Sequence, residues 1–368
     1  MSKPVKRLRQ LDFLRGVAIL LVMLRHQELV EFTSKMGWIG VDLFFVLSGF
    51  LVSGLLFKEY ITYGNIRPSR FLIRRGFKIY PIYYLFYPVY FIYASSSKPI
   101  NMNAVLPDLL FVQNYIYGWG YANESSWSLA VEEHFYIGFS LLLWLGLTKL
   151  RIRPNDKPGK WGMNTTELII VATLLTCLFL RIITNLFFTS TLLDLARNFT
   201  MTHLRIDSLL AGVLVSYLYT FRREPLKRLI IKYENLCLLT IPLLLSFTPF
   251  VSPVYSFFVK TLGFTFLYLA FSLLLLIFLL DESINDKLNR FFTKPVVTLV
   301  SKIGVASYSI YITHVFINDV IRSLDIPNKF VLFFVSAAVS IVVGILLTTY
   351  VENYFLAIRD KYYPARSS

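Results

Sequence analysis

Long apolar stretches dominate the pattern along this chain, and short polar or basic segments separate them. A helix needs about twenty apolar residues to cross the ~30 Å hydrocarbon core of a bilayer. The ten stretches of roughly this length cover residues 11–30, 38–57, 77–94, 127–147, 167–189, 205–221, 236–252, 256–280, 302–321 and 330–352. The pattern therefore predicts an all-α integral membrane protein with about ten transmembrane helices.

The composition supports this class and excludes others. Hydrophobic residues make up 56% of the 368 residues, and only 16% are charged. A compact soluble protein could not bury so much apolar surface, and a disordered chain carries far less of it. A nucleic-acid-binding domain with this net charge of +15 would have a larger charged fraction, so no nucleic-acid partner is expected. Cys177 and Cys237 indicate neither a disulfide framework nor a metal cluster.

The distribution of Lys and Arg among the loops predicts the orientation. With the N-terminus in the cytoplasm, the cytoplasmic segments hold 27 of the 37 basic residues, the outer loops 7 and the spans 3. Loops with excess Lys and Arg stay in the cytoplasm. Both termini are therefore expected there, in a multi-pass protein of the plasma (inner) membrane. No long linker or internal repeat interrupts the chain, so residues 1–368 are expected to form one membrane domain surrounded by lipid.

Ionisable residues inside the predicted spans are the most informative, because a charge at mid-membrane costs about 2.5–3.5 kcal/mol on insertion scales. Arg15 and His26 in the first span are eleven residues apart. They therefore share one helix face and differ in depth by about 16 Å. Arg15 is then near the cytoplasmic side and His26 near the outer side. Asp12, one turn below Arg15, is positioned to pair with it.

Three acidic residues are predicted at the depth of His26. Asp42 begins the second span from the outer side. An Asp that accepts a hydrogen bond from one imidazole nitrogen strengthens the other nitrogen as a base. Glu132 and Glu133 open the fourth span, also from the outer side. We therefore expect these four residues to meet in the outer half of the membrane.

A basic cluster precedes the third span on the cytoplasmic side. Arg74, Arg75 and Lys78 abut this span beside Arg15. Guanidinium groups match phosphate oxygens in a bidentate geometry. The cluster is therefore a candidate for binding a phosphate-bearing donor, although a role in topology alone is left open.

Several sequence blocks lie in order on the predicted spans. They are Leu11–Gly16 with the ten-residue interval from Arg15 to His26, Gly40–Phe50, Arg74–Arg75 with Ile79–Pro81, Trp127–Tyr136, Arg205–Gly212 and Ser307–His314. Together they resemble the acyltransferase 3 family of multi-pass membrane acyltransferases over nearly the whole chain. His134 departs from the resemblance, because Gln is expected at that position.

The resemblance implies transfer of an acyl group, commonly acetyl, from cytoplasmic acyl-CoA to an extracytoplasmic hydroxyl. Acyl-CoA is then a co-substrate, and no permanently bound cofactor is expected. Typical acceptors in the family are surface polysaccharides, lipid-linked sugars and peptidoglycan. Some members carry an additional C-terminal SGNH-hydrolase-like domain that works on the outer face. We do not expect that domain here, so the chain would acylate its acceptor directly or pass the group to a separate extracytoplasmic partner.

Combined with the residue pattern, the resemblance gives a mechanistic hypothesis. Arg15 and the basic cluster bind the CoA phosphates or polarise the thioester. His26, oriented by Asp42, acts as general base on the acceptor hydroxyl. Glu132 or Glu133 binds the acceptor or assists proton transfer. Transfer through an acylated histidine is left open.

Trp127 and Arg205 lie at the outer ends of their spans and are candidate acceptor-binding residues. For Arg205, a local ion pair with Asp207 is an equally good interpretation. Arg181 and Glu352 have no assigned function, and an ion pair with each other or with a third residue is expected for each.

Other interpretations of these residues stay open. Asp42 could cap its helix, and one of the adjacent glutamates could be structural. His314 is interpreted as a packing or hydrogen-bonding residue. The main alternative function is a transporter or flippase for a lipid-linked or anionic sugar, since buried Arg, His and carboxylates also serve substrate pathways. Inverted repeats or paired interrupted helices would favour it, and neither is evident in the sequence.

Overall fold

The computed structural model describes residues 8–27, 29–97, 101–154 and 162–366. Within these ranges the chain forms helices, turns and loops, without a strand, and the predicted all-α class is confirmed there. The helices are α1 (Arg9–Arg25), α2 (Glu31–Met36), α3 (Ile39–Tyr63), α4 (Pro68–Ser97), α5 (Met102–Leu109), α6 (Gln113–Ile116), α7 (Trp127–Thr148), α8 (Thr165–Phe187), α9 (Leu192–Thr200), α10 (Thr202–Phe221), α11 (Arg223–Lys232), α12 (Glu234–Leu245), α13 (Phe264–Leu280), α14 (Ile284–Phe292), α15 (Lys294–Val305), α16 (Ser307–Arg322), α17 (Lys329–Leu346) and α18 (Asn353–Tyr362). A 3₁₀ turn at Glu124–Ser126 precedes α7, and π-helical segments at Val259–Gly263 and Leu347–Glu352 adjoin α13 and α17.

Several of the described helices are long and apolar enough to cross a membrane. Five such helices occur among the described residues, or six if the bent pair of α15 and α16 counts as one span. The other predicted spans fall on α1, α4, α7 and α12, which are shorter or more polar. The total of ten spans and the position of the termini stay predictions. Two basic segments used for the orientation, residues 1–7 and 155–161, lie outside the described residues.

Helices α3 and α10 approach each other closely at the centre of the bundle. A methyl group placed on Gly49 would overlap the backbone carbonyl oxygen of Leu209, and one on Gly212 would overlap that of Val46. Small residues allow this approach, which in a membrane replaces the hydrophobic driving force by close van der Waals packing. The contact fixes α3 against α10, and the charged residues of both helices face each other across it.

A sharp break separates α15 from α16. The two helices meet at an angle of 81°, with Ala306 between them. The first turn of α16 carries Ser307 and Tyr308, both of which line a cavity. A broken helix at membrane depth is tolerated where it borders a cavity or is buried in protein.

Candidate active site

The first cavity of interest is bordered by α1, α3, α4, α7 and α16, and we call it the basic cavity. It contains about 730 Å³ of empty space, its open mouth included. Three cations and one carboxylate line it, namely Arg15, Arg75, Lys78 and Glu132. The lining therefore carries net positive charge and suits an anionic ligand.

Hydrogen bonds and ring contacts hold the charged groups of the basic cavity in place. The Glu132 carboxylate accepts hydrogen bonds from the hydroxyls of Ser48 and Tyr136, each at 2.7 Å. The Arg75 guanidinium lies 5.1 Å from the centre of the Tyr136 ring, within range of a cation–π attraction. Arg75 and Glu132 thus contact the same tyrosine, one at its ring and the other at its hydroxyl.

A second cavity lies around the end of α1, and we call it the histidine cavity. It contains about 810 Å³ of empty space. Its polar lining includes Arg25, His26 and Glu124, and its apolar lining includes indole rings. The indoles belong to Trp38, Trp119 and Trp127. An apolar cleft with a few convergent polar groups is typical of a small-molecule or sugar site.

A thin wall separates the two cavities. Val41 of α3 and Tyr311 of α16 line both of them. The Tyr311 hydroxyl donates to the Ser125 carbonyl at 2.9 Å and lies 2.6 Å from the Ser128 hydroxyl, which itself lines the basic cavity. These bonds tie α16 to the start of α7 at the wall. The two cavities are therefore neighbours on either side of the Tyr311 side chain.

Comparison with known proteins identifies the family. A model of the acyltransferase 3 family, described as an acyltransferase domain, matches residues 8–350. The chain belongs to this family. Both cavities and the wall between them lie within the matched residues.

Individual relatives of this acyltransferase 3 protein are distant. A Staphylococcus aureus (strain COL) protein, named as a candidate O-acetyltransferase, is 26% identical over 375 residues, 96% of this chain and 58% of the relative. The peptidoglycan O-acetyltransferase OatA of Listeria monocytogenes (strain EGD-e) is 25% identical over 391 residues, 97% of this chain and 58% of the relative. The O-acetyltransferase OatA of Staphylococcus aureus (strain NCTC 8325) is 25% identical over 241 residues, 61% of this chain and 37% of the relative.

The chain spans 58% of the length of the first two of these relatives. No solved structure matches it.

The structure pairs Asp42 with Arg205, which corrects the predicted pair of Asp42 with His26. One guanidinium nitrogen of Arg205 lies 2.9 and 3.0 Å from the two carboxylate oxygens, and the Ser208 hydroxyl donates to the same carboxylate at 3.0 Å. Both charged side chains are buried, with exposed fractions of 1% and 0%. In this acyltransferase 3 protein, Asp42 therefore ties α3 to α10.

The same contacts correct the predicted role of Arg205 in acceptor binding. Its guanidinium lies 3.6 Å from the ring centre of Phe264 and 5.5 Å from that of Trp127. Aromatic rings and the Asp42 carboxylate therefore enclose the charge. Trp127 does line the histidine cavity, and its role in acceptor binding stays a prediction.

The two charged residues without an assigned function each have a partner, as the sequence analysis expected. Arg181 lies 2.6 Å from Asp207 and donates to Thr265 at 2.8 Å. Glu352 pairs with Lys78 at the edge of the basic cavity. Asp207 is thus bound to Arg181 rather than to the neighbouring Arg205.

Glu132 and Glu133 do not join His26, contrary to the prediction. Glu132 lines the basic cavity, and Glu133 accepts a hydrogen bond from the Tyr80 hydroxyl at 2.9 Å. Helix α7 begins at Trp127 in the histidine cavity. Glu132 is five residues further on, about 140° around the helix axis, so it lies on a different face of α7.

The predicted basic cluster is divided. Arg75 and Lys78 line the basic cavity. Arg74 instead lies 3.1 Å from Asp360 of α18 and donates to the Tyr363 carbonyl. Adjacent helical residues point about 100° apart, so Arg74 and Arg75 reach different neighbours. Arg15, Arg75 and Lys78 stay candidates for donor binding, while Arg74 contacts the C-terminal helix.

Some residues of both cavities were not identified as candidates from the sequence. Trp119 and Glu124 come from the polar segment before α7, and Tyr311 comes from the Ser307–His314 block. The resemblance pointed to that block, but no ionisable side chain distinguished Tyr311 from its neighbours.

A buried carboxylate anchors the segment that forms one side of the histidine cavity. Asp108 of α5 accepts backbone hydrogen bonds from Tyr121 at 3.0 Å and from Ala122 at 2.9 Å. Burial raises the pKa of the Asp108 carboxyl to about 6, while these N–H groups act in the opposite direction. The anchored residues directly precede Glu124, so Asp108 holds this side of the cavity in place.

Proposed function

We propose that this protein transfers an acyl group, acetyl in the first instance, from acyl-CoA in the basic cavity to a sugar hydroxyl in the histidine cavity. The proposal rests on two neighbouring cavities, one lined by several cations and the other by indole rings with a few polar groups. The two cavities share a wall at Val41 and Tyr311. A glycan or a lipid-linked sugar is the proposed acceptor class. The peptidoglycan O-acetyltransferase among the relatives supports a carbohydrate acceptor.

The basic cavity suits the donor because coenzyme A is anionic. Charge-assisted hydrogen bonds from Arg15 and Arg75 would bind its phosphate oxygens. Lys78 would bind the same anion, and its ion pair with Glu352 would weaken. With the cytoplasmic termini expected from the charge distribution, this cavity opens towards the cytoplasm, where acyl-CoA is made. The acyl end of the donor then lies at the wall.

The histidine cavity suits the acceptor because it combines indole faces with a few polar groups. The indoles of Trp119 and Trp127 line this cavity and would supply apolar contacts for a sugar ring. Arg25 and Glu124 offer hydrogen bonds of both kinds to its hydroxyls. Orientation by such groups places one hydroxyl of the acceptor beside the wall.

The proposed chemistry is a direct transfer at the wall. His26 removes the proton from the acceptor hydroxyl while the oxygen attacks the thioester carbonyl. The new carbon–oxygen bond forms, the carbon–sulfur bond breaks, and the coenzyme A thiolate leaves with the electron pair. The proton held by His26 then neutralises the departing thiolate. No oxidant, metal or further reactant is required for this balance.

Removing the guanidinium of Arg75 tests the assignment of the donor cavity. We expect Arg75→Ala to raise KM for acetyl-CoA by about 10-fold to 100-fold, since a hydrogen bond to a charged group contributes about 1.5–3 kcal/mol. The assay follows radiolabelled acetyl from acetyl-CoA into soluble glycan strands, using purified full-length protein in detergent.

Arg74→Ala is the matched control for Arg75→Ala, because it removes the same side chain from the neighbouring position outside the cavity. The control should change KM for acetyl-CoA by less than about 3-fold, in keeping with the small energies of exposed ion pairs. Equal effects of the two variants would contradict the donor site.

A further inference from the structure

His314 of α16 is buried next to the proposed base, and one of its ring nitrogens lacks a partner within the part of the chain that the structure describes. The side chain is fully buried. Its Nδ1 lies 2.8 Å from the carbonyl oxygen of Tyr311. A carbonyl oxygen only accepts, so Nδ1 carries the proton, and Nε2 of the neutral ring presents a lone pair.

Among the described residues, no group donates to Nε2 of His314. A buried acceptor without a donor is uncommon and costly, and it calls for an explanation. Packing alone does not explain the unsatisfied nitrogen, because an apolar side chain of similar size would fill the same space without burying an acceptor that lacks a donor.

The nearest ring to His314 is that of His26. Their centroids are 5.1 Å apart and their planes meet at 69°, so the rings face each other edge-on. His26 lines the histidine cavity. A rotation of the His26 side chain at this separation would bring one of its N–H groups to Nε2 of His314.

Two further contacts fix the end of α1 against α16. Gln27 donates to Asn318 at 2.7 Å, and Arg322 donates to the backbone carbonyl of His26 at 2.7 Å. The backbone of His26 is therefore held on both sides, and only its side chain has to turn. A site supported in this way keeps its reacting groups in a narrow range of positions.

We propose that His314 is the positioning residue for His26. In the reactive arrangement, Nε2 of His314 accepts the N–H of His26, and the other His26 nitrogen turns its lone pair to the acceptor hydroxyl. His314 thus takes the orienting role that the sequence pattern predicted for Asp42. The inference rests on the proposed function of His26 as the base.

Three substitutions at His314 separate the nitrogen positions. His314→Gln keeps an acceptor oxygen near the place of Nε2. His314→Asn keeps a polar group near Nδ1 but has nothing at the Nε2 position, and His314→Leu has neither. We expect Gln to stay within about 5-fold of the wild-type kcat, and Asn and Leu to lose about 10-fold to 100-fold, the range typical of groups that orient a histidine.

The assay measures acetyl transfer from acetyl-CoA to soluble peptidoglycan glycan strands, with KM for both substrates. A positioning role lowers kcat with little change in either KM. The thermal midpoint in detergent is measured for each variant. If kcat falls only in proportion to the folded fraction, or if Gln is no better than Asn, the role is structural and the inference is wrong.

A second readout does not depend on activity. In protein labelled with ¹⁵N-histidine, the His26 signals report its tautomer, and a His26→Ala spectrum assigns them. His314→Gln should preserve one His26 tautomer, whereas His314→Asn should give a mixture. An unchanged single tautomer in His314→Asn would overturn the inference.

The two proposals fail in different ways. If the wild type labels no acceptor, or if His26→Ala is fully active, the proposed function fails whatever the variants of His314 do. If the wild type is active and His26→Ala is not, but His314→Asn equals the wild type, only the present inference fails.

Discussion

His26→Ala should lower kcat for acetyl transfer by about 10²-fold to 10⁴-fold, the range that a general base contributes. The variant should still bind acetyl-CoA, because the basic cavity does not include His26. The measurement is the rate of label transfer from acetyl-CoA to glycan strands at saturating donor, together with the donor KM. The donor KM should stay within about 3-fold of the wild type if the lost interaction belongs to the transition state.

His203→Ala is the matched control for His26→Ala. His203 is outside the linings of both described cavities, and its ring lies 3.2 Å from the Tyr115 hydroxyl. The same substitution there should leave the transfer rate within about 2-fold of the wild type, since surface changes of this kind alter stability only slightly. More than half of the wild-type rate in His26→Ala, at normal protein levels, would contradict a base at this position.

Asp42→Ala should destabilise the fold by about 3–5 kcal/mol, because it leaves the Arg205 guanidinium buried without its partner. Both groups are almost completely enclosed, and Arg205 also lies against the Phe264 ring. The expected observation is a large fall in folded protein recovered from the membrane and in the thermal midpoint in detergent. Any loss of acetyl transfer should follow the loss of folded protein.

The double variant Asp42→Leu with Arg205→Met distinguishes this structural role from a catalytic one. It removes both charges together, and apolar groups of similar volume often replace a buried ion pair without loss of stability. We expect folded protein and acetyl transfer to recover to within about 3-fold of the wild type. If the double variant folds but stays inactive, Asp42 has a direct role in catalysis and the structural assignment is wrong.

Much of the charge placement was predictable from the sequence. Arg15 and His26 were assigned to one helix face at different depths, and they line separate cavities along α1. Arg181 and Glu352 were expected to find partners because an unpaired charge in a span is costly. These predictions needed only the helical period and the cost of burying charge.

The choice of partner was not predictable in the same way. Depth and helix face do not state which neighbouring helix a side chain meets. Asp42 was assigned to His26 because both were predicted at the outer side, yet α3 packs closely on α10 and presents Asp42 to Arg205. Gly49 and Gly212 allow this close packing, and the sequence pattern did not identify which helices they bring together.

The positions of the glutamates and of His314 show two further limits. The position of Glu132 depended on which face of α7 borders each cavity, because Trp127 and Glu132 line different ones. The environment of His314 depended on the break between α15 and α16. The hydropathy pattern predicted one continuous span across this break. A bend of 81° changes which residues the second half can contact.

In the proposed function, an acyl group passes from a donor in the basic cavity to an acceptor in the histidine cavity on the other side of the wall. The direct measurement uses vesicles with the protein in one orientation, radiolabelled acetyl-CoA on one side and glycan strands on the other. Label should appear in the glycan only when acetyl-CoA is on the side of the basic cavity and the acceptor is opposite. Movement of glycan across the vesicle without label, or transfer only when both substrates share a side, would contradict it.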